Sequence, residues 1–245
     1  VNTLPFVKMQ AQGNDFVILD GLHEVIPELE KQAILNITER RYGIGCDQLL
    51  LLRPDDVADV RMLIFNSDGS EAKNCGNGLR CVADLLLRRM ERETVRIALA
   101  DRHVMAERSA HGVRVQMGAA VVTDVQQQHS DVNVGNEHRV VFELADEAAF
   151  PADKNIEIVT GQIANRVYID IIERGVGPTR ACGSGATATA VAVWQREGHR
   201  EPLTIAMPGG EVVVSASGDD VWLEGRVAEV FRGVYSGKGD QCSTS

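Results

Sequence analysis

Long apolar runs are missing from this sequence, and so is any excess of positive charge. No stretch reaches the length of a bilayer-spanning helix. The opening residues have neither the charged head nor the long apolar middle of a signal peptide, so a cytoplasmic chain without membrane contacts is the expectation. A formal net charge of −10, with no basic cluster to offset it, argues against nucleic acid as a partner. No GxGxxG follows a strand-like run and no phosphate-loop lysine is present, so nothing is built for a nucleotide. Five cysteines (46, 75, 81, 182 and 242) form no CxxC pair. That pattern fits a reduced chain with one or two working thiols better than a disulfide scaffold, and it suggests no metal site.

What is present centres on Cys75. An apolar run, Met62 to Phe65, turns through Asn66, Asp68 and Gly69 into Asn74-Cys75-Gly76-Asn77-Gly78. Leu79, Val82, Ala83, Leu86 and Leu87 then recur at helical spacing. The thiol therefore stands at a helix N-terminus, where free N–H groups favour an anion and are expected to lower its pKa. The chain does this twice, since Ala181-Cys182-Gly183-Ser184-Gly185 also leads into a helical run through Ala186, Ala190, Val193 and Trp194. One such motif is as readily a buried cysteine beside a turn. Two point to similar halves presenting two thiols across one cleft.

Strands are expected at 4–9, 15–20, 49–52 and 62–65, with a helix over 27–41. Beyond the first cysteine helix come strands at about 94–100, 103–108 and 112–117. The stretch 118–128 is less regular, and Gln126 to Ser130 reads as a loop. Strands follow at 139–144, 156–160 and 166–173, then the second cysteine helix, ending near Gly198. The last strands fall at 203–207, 211–216, 220–225 and 229–235, before a frayed tail from Gly237. With 44% hydrophobic residues in 245, two ordinary cores are affordable. The order predicts an α+β chain of two similar lobes, each a mixed or antiparallel sheet around a long central helix. One lobe covers 1–117 with a last strand, about 229–245, returning to it; the other covers 118–228.

Two thiols at helix mouths permit a redox disulfide, a covalent nucleophile, or a base and an acid on opposite faces of one carbon. The last explains why there are two, one for each face. Backbone N–H groups at both mouths could hold the carboxylate that takes up charge as an α-proton leaves. A glycine after each cysteine lets the backbone approach closely.

The sequence resembles the diaminopimelate epimerases, cofactor-independent two-cysteine epimerases and racemases, over nearly its whole length. Gly13-Asn14-Asp15-Phe16, Asn66 to Glu71, Cys75 to Gly78, Glu173-Arg174-Gly175, Ala181 to Gly185 and Pro208-Gly209-Gly210 carry the resemblance. It implies that Cys75 and Cys182 alternate as base and acid, and that no cofactor is needed. It implies that Gly76, Asn77, Gly183 and Ser184 hold the reacting carboxylate. Asn14, Gln48, Asn66, Asn136, Asn155, Glu173 and Arg174 would hold the rest of an amino-acid substrate, while His138 and Glu173 tune the thiols. It further implies conversion of LL- to meso-diaminopimelate, feeding lysine and peptidoglycan synthesis, by a homodimer. Histidine or another amino acid is the alternative substrate, and a thiol redox or amino-acid-binding protein the alternative class. The family's histidine-glycine-leucine before Gly13 is Gln10-Ala11-Gln12 here, and the usual proline at 137 is Glu137.

Overall fold

A computed structural model of the chain describes residues 3–23, 25–143 and 150–237. Its strands run in two series that repeat one another. The first comprises β1 (Thr3–Ala11), β2 (Asn14–Asp20), β3 (Gln48–Arg53), β4 (Val60–Asn66), β5 (Glu71–Ala72), β6 (Thr94–Ala98), β7 (His103–Ser109) and β8 (Gly112–Gly118). Helix α1 (Lys31–Thr38) lies between β2 and β3, and α2 (Gly76–Met90) between β5 and β6. After β9 (Val121–Val125), the second series comprises β10 (His129–Asn133), β11 (Glu137–Val141), β12 (Asn155–Ile163), β13 (Arg166–Glu173) and β14 (Gly177–Thr179). Helix α3 (Gly183–Glu197) follows, then β15 (Leu203–Met207), β16 (Gly210–Ser217), β17 (Asp220–Gly225) and β18 (Ala228–Ser236).

The pairings match step for step. β2 with β3 and β11 with β12 are parallel. β3 with β4 and β12 with β13 are antiparallel. β4 with β6 and β13 with β15 are again parallel, each crossing over through the cysteine helix. The two sheets join where β8 pairs antiparallel with β17. The strand leaving each series pairs with the first strand of the other: β18 with β1, and β9 with β10. The fold is thus two α+β lobes, each a mixed sheet around one long helix.

Burial explains the helices. In α2 the spaced apolar side chains Leu79, Val82, Leu86 and Leu87 are all fully buried. In α3 small residues take their place, and Thr187 and Thr189 satisfy their hydroxyls on the carbonyls of Gly183 and Gly185, each at 2.9 Å. A helix buried on all sides needs such local bonds, because no water reaches it. The leucine run of β3 has two cores to serve: Leu50 and Leu52 face α2, while Leu49 and Leu51 face the smaller core under α1.

Several elements differ from the sequence reading. Helix α1 is eight residues long and does not span 27–41; Glu39 is already extended, and its carboxylate accepts from the N–H groups of Arg41 and Tyr42. The irregular stretch holds β9, whose sparse apolar residues are largely exposed and whose pairing with β10 is what defines it. His129 and Ser130 begin β10 and are not loop. β5 and β14 were too short to show in any periodicity. The strand expected to run to residue 144 ends at Val141, and Leu144, like the tail at 238–245, lies outside the described residues.

Candidate functional site

Each cysteine is the N-cap of its helix. Cys75 Sγ accepts from the Gly78 N–H and Cys182 Sγ from the Gly185 N–H, both at 3.3 Å. The remaining first-turn N–H groups have no carbonyl partner within the helix. The two mouths converge: a Cβ on Gly76 and a Cβ on Gly183 would each lie 2.9 Å from the same Leu223 methyl. On Gly183 it would also come within 3.1 Å of Asn77 Oδ1 and 3.4 Å of Asn77 N. The glycines after the cysteines are what allow the two first turns to touch.

The repeat delivers polar side chains to this point from equivalent strand ends. In the first lobe Asn14 starts β2, while Gln48 at the start of β3 is in register with Asn66 at the end of β4. In the second, Asn136 precedes β11, Asn155 starts β12, and Glu173 ends β13. Asn14 Oδ1 accepts from Asn77 Nδ2 at 3.2 Å, and Asn14 Nδ2 donates to Asp47 at 2.8 Å. Gln48 donates to Asn66 Oδ1 at 2.8 Å. Asn136 donates to Ser184 Oγ at 3.5 Å, and that hydroxyl is 3.4 Å from Cys182 Sγ. Asn155 accepts from the Arg174 N–H at 3.0 Å and donates to the Glu137 carbonyl at 3.3 Å.

Glu173 and Arg174 do not pair with each other. The Glu173 carboxyl accepts from Thr179 Oγ1 at 2.7 Å, and the exposed Arg174 guanidinium touches the Asp153 carbonyl at 3.3 Å. Glu137, where the resemblance leads one to expect proline, has its carboxylate tied to the Asn133 amide. His138 is fully buried, with Nδ1 2.8 Å from Glu157 Oε1. Gln48 and Asn66 bond to each other and have no described hydrogen bond to either thiol's immediate partners.

The expectation of lowered thiol pKa values is overturned. Burial pushes Cys75 up to about 11, and Glu173 adds to the rise against the N–H groups of Gly78 and Asn77. Cys182 is pushed well above the usual thiol range by burial, with Glu173 and Glu157 adding their repulsion. The N–H groups at a helix mouth do not replace the hydration a thiolate loses on burial. Burial also raises Glu173, against the Thr179 hydrogen bond. The charge of Glu173 bears on both sulfurs.

Two residues at the site escaped the sequence reading. Glu157 is an acid inside an apolar strand, Ile156-Glu157-Ile158, and is fully buried. Arg80 is an arginine within a helix and is equally buried, with Nη2 donating to Asn77 Oδ1 at 2.6 Å and to Gln12 Oε1 at 2.7 Å. Polar residues at inward positions were the available signal for both.

A family model described as diaminopimelate epimerase matches residues 6–123 and 119–230. The diaminopimelate epimerase of Sphingopyxis alaskensis is 36% identical over 267 aligned residues, covering 93% of this chain and 96% of that protein. That of Halorhodospira halophila is 35% identical, covering 93% of each. Among solved structures, a Bacillus anthracis phenazine biosynthesis protein of the PhzF family superposes with a TM-score of 0.75 at 15% identity, over 96% of this chain and 99% of that one. A hydroxyproline epimerase from Agrobacterium vitis, with bound trans-4-hydroxy-L-proline, superposes with a TM-score of 0.68 at 13% identity, over 95% and 92%. At these identities the structural likeness speaks for the fold.

Proposed function

This chain belongs to the diaminopimelate epimerase family, and from that premise we propose that it is an isomerase converting LL- to meso-diaminopimelate with its own two thiols and no cofactor. The observation that carries the reading is the convergence of two cysteine-capped helix mouths on one methyl group of Leu223. One thiol, as thiolate, takes the α-proton. The electron pair left on carbon spreads into the substrate carboxylate, where the N–H groups of Gly76, Asn77, Gly183 and Ser184 stabilise it. The other thiol gives its proton to the opposite face, so configuration inverts, the first sulfur ends as the thiol and the second as the thiolate.

Both thiols are hard to ionise in the closed cleft, which makes the thiolate a strong base once it forms. Asn14, Gln48, Asn66, Asn136 and Asn155 are assigned to the substrate's ammonium and carboxylate groups. Arg174, exposed and bonded among the described residues to the Asp153 carbonyl, is assigned to the distal carboxylate. His138 and Glu173 are assigned to setting the charge around the thiols.

In deuterated water, LL-diaminopimelate is expected to acquire α-deuterium as it converts to the meso form. Exchange with L-histidine and none with diaminopimelate would keep the chemistry and move the substrate. Exchange with neither would sink the epimerase reading.

Lobes divided near Gly118, with β18 returned to the first, and a homodimer in the cytoplasm complete the proposal. Four free thiols among the described residues suit a reducing compartment, and no helix described is long and apolar enough to cross a membrane. For the dimer, β18 exposes Val230, Phe231 and Val234 along one strand. Sedimentation equilibrium should give twice the 26.7 kDa chain mass; a single-chain mass at micromolar concentration would exclude it.

A further inference from the structure

The two helix mouths match in backbone and differ in charge. Five residues after Cys75 stands Arg80; five after Cys182 stands Thr187. Thr187 is self-contained, its hydroxyl bonded within the helix. Arg80 is not. It is fully buried, its described acceptors are the neutral amides of Gln12 and Asn77, and its Nε and Nη1 have no partner. Among the described residues no acid forms an ion pair with it. A buried cation without a counter-anion is strongly disfavoured, so a fold that keeps one holds positive charge in reserve. The second mouth has the opposite sign. Glu157 is fully buried and packs so closely on the first turn of α3 that a Cβ on Gly185 would overlap its carboxylate.

We propose that Arg80 behind Cys75 and Glu157 behind Cys182 make the unliganded site asymmetric, so that Cys75 ionises first and serves as the resting base while Cys182 rests as the acid. Arg80 is a positioning residue in this scheme: it acts through Cys75 and through Asn77, whose side-chain oxygen it holds. The inference rests on the two-thiol reading and adds which sulfur carries the charge.

The other groups facing the sulfurs do not cancel the difference. Glu173, from β13, repels charge on both thiols. Cys81, on α2 beside Arg80, is itself pushed above the thiol range by burial and adds no charge. His138, from β11, bonds Glu157 through Nδ1. Ser184 offers Cys182 a hydroxyl and no charge. Asp47, next to β3, acts on Glu173. Consistent with this, Arg80 opposes the rise at Cys75, whereas at Cys182 the carboxylates of Glu173 and Glu157 both add to burial.

The test follows iodoacetamide alkylation of the full chain in short pulses from pH 7 to 12, a range that brackets the value of about 11 for Cys75, with the two cysteine peptides resolved by mass spectrometry and a profile still rising at the upper end counted as the higher midpoint. The midpoint of each rate profile reports ionisation and is insensitive to how exposed each sulfur is. In the unaltered protein the Cys75 midpoint should lie at least about one unit below that of Cys182, about tenfold more thiolate at a given pH. Arg80→Gln keeps an N–H donor toward Asn77 and Gln12 but removes the charge. It should raise the Cys75 midpoint by about one unit and leave Cys182 in place. Arg80→Lys should keep the order.

Coincident or reversed midpoints in the unaltered protein would overturn the proposal, as would an Arg80→Gln protein with an unmoved Cys75 midpoint. Should Arg80→Gln not fold, the unaltered protein and Arg80→Lys still decide. Separated midpoints without α-deuterium exchange would end the epimerase reading alone; exchange with coincident midpoints would end only the asymmetry.

Discussion

Exchanging either sulfur for oxygen, Cys75→Ser or Cys182→Ser, is expected to lower kcat for epimerisation on the order of a thousandfold, the middle of the range for removing a general acid or base. A serine hydroxyl is a far weaker acid than a thiol, and burial that already pushes the Cys75 thiol up to about 11 would hold a hydroxyl there unionised. Since every turnover uses one sulfur on each face, the two losses should be similar, and the double variant should lose little more than either single one. Fold should be unaffected: each side chain caps its helix through Gly78 or Gly185, and a serine hydroxyl caps a helix well. A single variant keeping more than a tenth of normal kcat, with its thermal unfolding unchanged, would show that one thiol suffices.

That prediction could have been written from the sequence, whereas the pKa values could not. Cys-Gly-x-Gly before a helical run is local, and both N-caps fell where the motif placed them. The strands whose side chains alternate against a core were equally legible, because period two follows from the backbone alone. β9 escaped because its order comes from pairing with β10 and not from a buried face of its own. The thiol pKa values were misjudged for a related reason. A helix mouth favours an anion by local geometry, while desolvation depends on how tightly two distant segments close over it. Glu157 and Arg80 were hidden in the same way: their burial is set by tertiary packing, and no spacing announces it. Gln12, noted in the sequence only as a replacement before Gly13, turns out to hold Arg80 and the Arg226 carbonyl.

Leu223→Ala should have the largest effect on stability among substitutions that leave every polar group of the site in place. Leu223 lies on β17, fully buried, and one of its methyl groups fills the space between the glycines that start α2 and α3. Truncation removes three carbons from a spot where neither neighbour has a side chain to relax into the gap. A loss of about 3–4 kcal/mol is expected, in the upper part of the leucine-to-alanine range, measured as a lower urea midpoint at unchanged slope. The same cavity loosens the spacing of the two helix mouths, and proton transfer on opposite faces of one carbon depends steeply on that spacing. Hence kcat should fall on the order of tenfold or more under conditions where the variant is fully folded, with KM changed less. If stability falls while kcat holds, Leu223 is ordinary core. If both fall together, the side chain that packs the lobes also sets the distance between the thiols.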